Sequence, residues 1–163
     1  MCDDCGMKLL VERDAVRRYV LGGVPHIELH GVEVTRCPAC GVESVGIPRI
    51  AQLHTVIAHG FVTQPRMLAP TEIQFLRKHV GLSGADLAQR MGVSRETVSR
   101  WESGAQPMGP VADRLLRLLV VTHAPSESYA ADDLLKSLSN QAAPKRLPRT
   151  ALANTRARGW LAS

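Results

Sequence analysis

Two cysteine pairs constrain this chain more than any other feature: Cys2-x-x-Cys5 and Cys37-x-x-Cys40, each followed by glycine, Gly6 and Gly41. A C-x-x-C-G turn is a knuckle that points two thiolates at one centre while backbone N–H groups face the sulfurs. Two knuckles complete the tetrahedral set of four thiolates that structural zinc prefers. Thirty-one residues separate the pairs, room for a small antiparallel sheet. Two disulfides instead would need an oxidising compartment. A thioredoxin-like pair would need a βαβ setting, which the pattern lacks. An iron–sulfur cluster also takes four thiolates. A catalytic zinc needs an open position, and four cysteines leave none. The expectation is one structural Zn2+ held by Cys2, Cys5, Cys37 and Cys40; whether that zinc also senses metal or redox state stays open.

Between the knuckles, Val16 to Leu21 and Pro25 to Thr35 read as strands around a Gly22-Gly23 turn. Ile27, Leu29, Val32 and Val34 alternate with polar residues, the period of a half-buried strand. Gly31 marks a bend or bulge, and His26 and His30 fall on the polar phase. After the second knuckle Pro48 opens a helix with Ile50, Leu53 and Ile57 as its apolar stripe and Gly60 as its end. Phe61 to Pro70, with two prolines and little periodicity, reads as a hinge.

The second strong signal is Leu82 to Gly104, LSGADLAQRMGVSRETVSRWESG. Thr71 with Gln74 is the expected capping box of the helix before it, whose core face is Ile73, Leu76 and Val80. Ser83-x-x-Asp86 fits a second capping box. Gly92 ends that helix through its freedom at positive φ, Val93 plugs the turn, and Ser94 caps the next helix. In this last helix Val98 and Trp101 share one face, and Arg95, Glu96, Ser99 and Arg100 the other. An apolar back and a donor-rich front are what a helix needs to lie in the major groove, where arginine pairs with guanine and Ser and Glu reach base edges.

Charge is unevenly spread along the chain. Residues 1–64 hold six Lys/Arg against seven Asp/Glu, 65–122 eight against five, and 123–163 six against three. The net charge of +5 and pI near 9.4 suit a nucleic-acid partner. The first fifteen residues carry no apolar segment of a signal peptide, and no run approaches a membrane span, so a cytoplasmic protein that does not enter membranes is expected. With the cysteines committed and the histidines scattered, no acid, base or nucleophile constellation stands out, and an enzyme is not expected.

Residues 71–122 resemble the helix-turn-helix domain of Cro/Xre repressors through Leu87-Ala88, Gly92-Val93-Ser94, Val98-Ser99-Arg100-Trp101-Glu102 and Gly104. That resemblance implies a five-helix, usually dimeric domain reading palindromic operators, with a salt bridge from Arg77 to Glu102. Where that family carries Gln or Thr-Gln for a phosphate contact, this chain has Ser83-Gly84, so the contact is either lost or made by the Gly84 amide. A zinc module followed by such a domain is similar to the MqsA family of antitoxins, with YgiT-type zinc fingers, over about residues 1–122. The resemblance implies a zinc module that neutralises a cognate toxin, typically an mRNA-cleaving ribonuclease, and a helix-turn-helix that dimerises and represses its own operon. The family's two base-reading positions match Glu96 and Arg100; glutamate accepts from cytosine N4, so the operator sequence does not carry over.

Beyond the match, Pro110 opens a helix with Val111, Leu115, Leu118 and Leu119 on its apolar face. Ala130 to Leu138 reads as a short amphipathic helix. From Ser139 the chain is rich in Ala, Pro and Arg, with Lys145, Arg146, Arg149, Arg156 and Arg158 lacking acidic counterweight; such a tail can grip phosphate nonspecifically or order on a toxin partner, and is expected to be disordered in isolation. The expected architecture is α+β: a zinc-binding, partner-binding β module with a helix at 1–62, a linker at 63–70, an all-α helix-turn-helix DNA-binding and dimerisation domain at 71–138, and a basic tail at 139–163. The expected DNA-facing residues are Ser94, Arg95, Glu96, Thr97, Ser99 and Arg100. The expected function is that of an antitoxin and autorepressor; the alternative is a stand-alone zinc-containing regulator.

Overall fold

The strand Ile27–Arg36, β2, organises the first of two units in this computed structural model, which describes residues 1–20, 22–123, 138–139, 141–155 and 159–162. Along one edge β2 pairs antiparallel with β1, Leu10–Arg18. Its other edge is shared. β3, Glu43–Gly46, runs antiparallel along residues 33–36, and β4, Thr150–Thr155, runs parallel along residues 27–30. β5, Gly159–Ala162, closes the far side antiparallel to β4. The fold is therefore mixed α+β, with the Cys cluster and β1 to β3 in the N-terminal part, the helices after them, and β4 and β5 following the helices.

The alternation in β2 sets the buried face: Ile27, Leu29, Val32 and Val34 are all buried, and Ala15, Leu152 and Trp160 are buried with them. Gly31 is the extra residue on β2 between the pairs Ala15↔Val32 and Val16↔His30, with φ of 75°. It reverses the phase of the strand, so both halves bury their apolar residues. A Cβ at Gly31 would also lie 2.9 Å from the Asn154 carbonyl oxygen, so close approach of β4 requires glycine there. A second bulge lies on β1 between Glu12 and Ala15, where Asp14 has φ of 58°.

β1 starts at Leu10, well before the expected Val16. Its first five residues are exposed on both faces, so no apolar period marks them. The larger correction is the expected disordered tail. Within it β4 and β5 form a hairpin that completes the sheet. Trp160 is fully buried, its indole Nε1 donating to the Pro48 carbonyl at 2.6 Å. Arg149 pairs with Glu28 at 2.8 Å.

The second unit holds the rest of the helices. α1, Ile50–Thr63, passes from the first unit into the second after Leu53. It does not end at Gly60: Phe61 and Val62 are buried beyond it, and burying two large side chains outweighs the roughly 1 kcal/mol that glycine costs a helix. α2 is Pro70–His79, α3 Gly84–Met91, α4 Arg95–Ser103 and α5 Pro110–His123. α2 is capped by Ala69, whose N–H donates to the Glu72 carboxylate at 2.7 Å. Thr71, the expected cap, lies inside the helix, because Pro70 already fits its first position.

Residues 63–70, expected to be a hinge, are fixed by a buried charged network. Arg117 on α5 donates to the carbonyls of Val62 and Gln64 at 2.8 Å and of Arg66 at 2.6 Å, and to Asp113 at 2.8 Å. Asp113 in turn accepts from the Leu68 N–H at 2.8 Å. Glu72, fully buried, accepts from Arg66 through two bonds and from Gln64. Alongside, the returning chain bonds to the same stretch: Ser139 N–H to Pro65 O at 2.7 Å and Met67 N–H to Gln141 O at 2.8 Å. The expected helix Ala130 to Leu138 lies outside the described residues apart from Leu138, which is buried.

Candidate functional site

α3 and α4 are delimited by the caps legible in their sequence. Ser83 Oγ accepts from Asp86 N–H at 3.1 Å, and the Asp86 carboxylate accepts from Ser83 N–H at 2.9 Å. The Ser83 contacts hold the Asp86 carboxyl below its usual range. Gly92 closes α3 in the left-handed region, φ 66°, and Val93 N–H returns to Ala88 O. Ser94 Oγ caps α4 by accepting from Thr97 N–H at 3.2 Å and lies 3.1 Å from Thr97 Oγ1. Both hydroxyls are therefore engaged in the cap.

On α4, Val98 and Trp101 are buried while Arg95, Glu96, Ser99 and Arg100 are exposed. Glu96 is held below the ordinary carboxyl range by its own backbone N–H and by Ser94, so it presents an ionised acceptor. Arg77 makes a two-pronged pair with Glu102, Nε–Oε1 at 2.5 Å and Nη2–Oε2 at 2.9 Å, and donates to Leu82 O at 2.8 Å. One guanidinium thus ties α2 to the end of α4 and to the loop before α3, fixing the angle at which α4 is offered. A polar cavity of about 410 Å3 opens on the same side, lined by Gly84, Ala85, Arg95 and Ser99 among others.

The four cysteine sulfurs in the first unit all lie within 4.8 Å of one another. Cys2 and Cys40 approach to 3.5 Å, Cys5 and Cys37 to 3.3 Å, Cys5 and Cys40 to 3.8 Å. Tetrahedral zinc with Zn–S near 2.3 Å sets sulfurs about 3.8 Å apart, so the set fits. N–H donors of Cys40 and Ala39 face the Cys37 sulfur and lower its pKa to about 6. Cys40 receives the lowering Val42 N–H, yet the thiols of Cys37 and Cys2 push it up to about 12. Thiolates this close repel one another, and a divalent cation at their centre removes that repulsion. Zinc held by Cys2, Cys5, Cys37 and Cys40 would supply a structural cross-link between the knuckles.

A second cavity, of about 350 Å3, lies beside the C-terminal end of α4. Trp101, Gly104, Gln106, Met108 and the returning Ala142 and Ala143 are among its lining. Neither this cavity nor the Arg117 network has a local sequence signature, since both are made by residues far apart in the chain.

A family model for the helix-turn-helix matches residues 73–124. No curated protein and no solved structure matches the chain. Caps, turn and matched stretch together define a helix-turn-helix domain, which supports a DNA-binding transcription regulator. No helix among the described residues is long and apolar enough to cross a membrane.

Proposed function

We propose that the protein is a homodimeric repressor that places α4 in the major groove of operator DNA. The observation that carries this is the exposed row Arg95, Glu96, Ser99 and Arg100 over the buried Val98 and Trp101. Arg100 and Arg95 make base or phosphate contacts, Glu96 accepts from a cytosine, Ser99 makes a shorter contact, and Ser94 and Thr97 hold the helix start. Val111, 81% exposed, and the partly exposed Leu115 on α5 offer an apolar face to a second copy. Two-fold pairing would set the two α4 helices about 34 Å apart on successive grooves. The test is anisotropy with a duplex from the protein's own promoter. Arg100→Ala weakens binding by about 1–3 kcal/mol, one good base contact. Unchanged specific binding would remove α4 from the interface.

The finer reading is an antitoxin of the MqsA type, in which a zinc-stapled module neutralises a toxin, most often an mRNA-cleaving ribonuclease. Its support is the order of four-cysteine module and helix-turn-helix in one chain. Co-expression with the neighbouring gene product decides it. A stable complex that relieves growth inhibition establishes the antitoxin, and a free dimer that still binds its promoter rejects it. The β4–β5 hairpin exceeds what that family carries and favours a second reading, a stand-alone zinc-containing regulator.

A further inference from the structure

We infer that Lys145 and Arg146 form an accessory contact to the DNA phosphate backbone, beside the end of the recognition helix; this rests on α4 entering the major groove. Two kinds of arginine stand out in the second unit. Arg66, Arg77 and Arg117 are locked to Glu72, Glu102 and Asp113 and are mostly buried. Arg95 and Arg100 are exposed and form no ion pair among the described residues. Lys145 and Arg146 share that second condition: both are exposed, and no ion pair or hydrogen bond engages them among the described residues. Arg149, three residues on, is by contrast paired with Glu28.

Their position gives the exposure a meaning. The backbone bonds to Pro65 and Met67 anchor the returning chain, and Ala142 and Ala143 wall the same cavity as Trp101, Gly104 and Gln106. Ala143 is thus beside the end of α4, and two or three further residues span at most about 7–11 Å. The major groove is about 12 Å wide and a helix with its side chains about 10–12 Å across. A recognition helix therefore fills the groove, and what flanks its end meets the phosphate wall. Two cations placed there, with no partner among the described residues, meet the ligand their charge complements. Such contacts position without reading sequence.

Salt titration separates this from base reading. The full chain, Lys145→Ala/Arg146→Ala, and Arg100→Ala are compared on the promoter duplex and on a scrambled duplex of equal length. Each phosphate contact contributes about 0.9 to the slope of log K against log salt. The double variant is expected to lower that slope by about 1.8 on both duplexes, with the preference for the promoter unchanged. Its affinity deficit at about 50 mM salt is then roughly tenfold larger than at about 200 mM. Lys145→Arg should keep the wild-type slope. A wild-type slope in the double variant overturns the inference, even where Arg100→Ala destroys the promoter preference. Equal wild-type binding to both duplexes would instead refute the reading of α4, and the slope on scrambled DNA would still decide the tail contact.

Discussion

Arg117 is the residue whose removal the second unit would tolerate least. Its side chain is fully buried, and it satisfies carbonyls at the end of α1 and in the stretch up to Arg66, together with Asp113. Arg117→Met would leave the Asp113 carboxylate without its cation and those carbonyls without donors. Breaking one side of a buried ion pair costs about 3–5 kcal/mol. Urea unfolding followed at Trp101 should show a loss of that size. A loss below about 1 kcal/mol would mean that water reaches these carbonyls and that the network is not what fixes residues 63–70. Nothing in the sequence around Arg117 announces this. An arginine on a helix that also carries Asp113 and Arg114 looks like part of a solvated edge, and the carbonyls it satisfies lie some fifty positions earlier.

At the scale of elements, Gly31→Ala tests whether the C-terminal hairpin is built into the sheet. The positive φ alone costs a non-glycine residue about 1–2 kcal/mol, and the new methyl would press on the Asn154 carbonyl. The expected result is a destabilised β4–β5 hairpin and red-shifted emission from Trp160, while DNA binding through α4 persists. Unshifted Trp160 emission would show that β4 yields to the methyl without leaving its place. What can be read in advance divides along the same line. The caps at Ser83 and Ser94 and the turn at Gly92 are local, each written within four residues, and the two knuckles are nearly so. The β4–β5 hairpin depends on a parallel pairing with β2 more than a hundred residues away in sequence, and its basic, proline-rich approach hides it. β1 is legible only from Val16 on, because its first half is exposed on both sides. The end of α1 is not legible, because Gly60 is a stop signal only when nothing beyond it is buried.

For the molecule as a whole, the two tryptophans fall one to each unit, Trp160 in the first and Trp101 in the second. Trp101→Phe and Trp160→Phe variants therefore report the units separately. Zinc binding free energy is folding free energy for a module this small, so chelation, or Cys37→Ser, should abolish the Trp160 transition and leave that of Trp101 in place. A Trp160 transition indifferent to chelator would reject a stabilising metal at the four-cysteine site. Acid should act on the other reporter as well, for a different reason. His79 is held below its ordinary value by burial and by the nearby charges of His54 and His123, and His54 is lowered by burial. Both rings pack on Phe75, His54 edge-on at 5.7 Å and His79 stacked at 6.2 Å. As pH falls through about 6.5 the unfolded chain takes up these protons first, so the second unit loses stability until the lower folded values are passed; above that window these groups contribute no pH dependence. The Trp101 urea midpoint should therefore drop between about pH 7.5 and about pH 5.5, and His79→Gln should flatten the drop. A wild-type midpoint that stays level across that range would mean the histidines are as accessible to protons in the folded unit as in the unfolded chain.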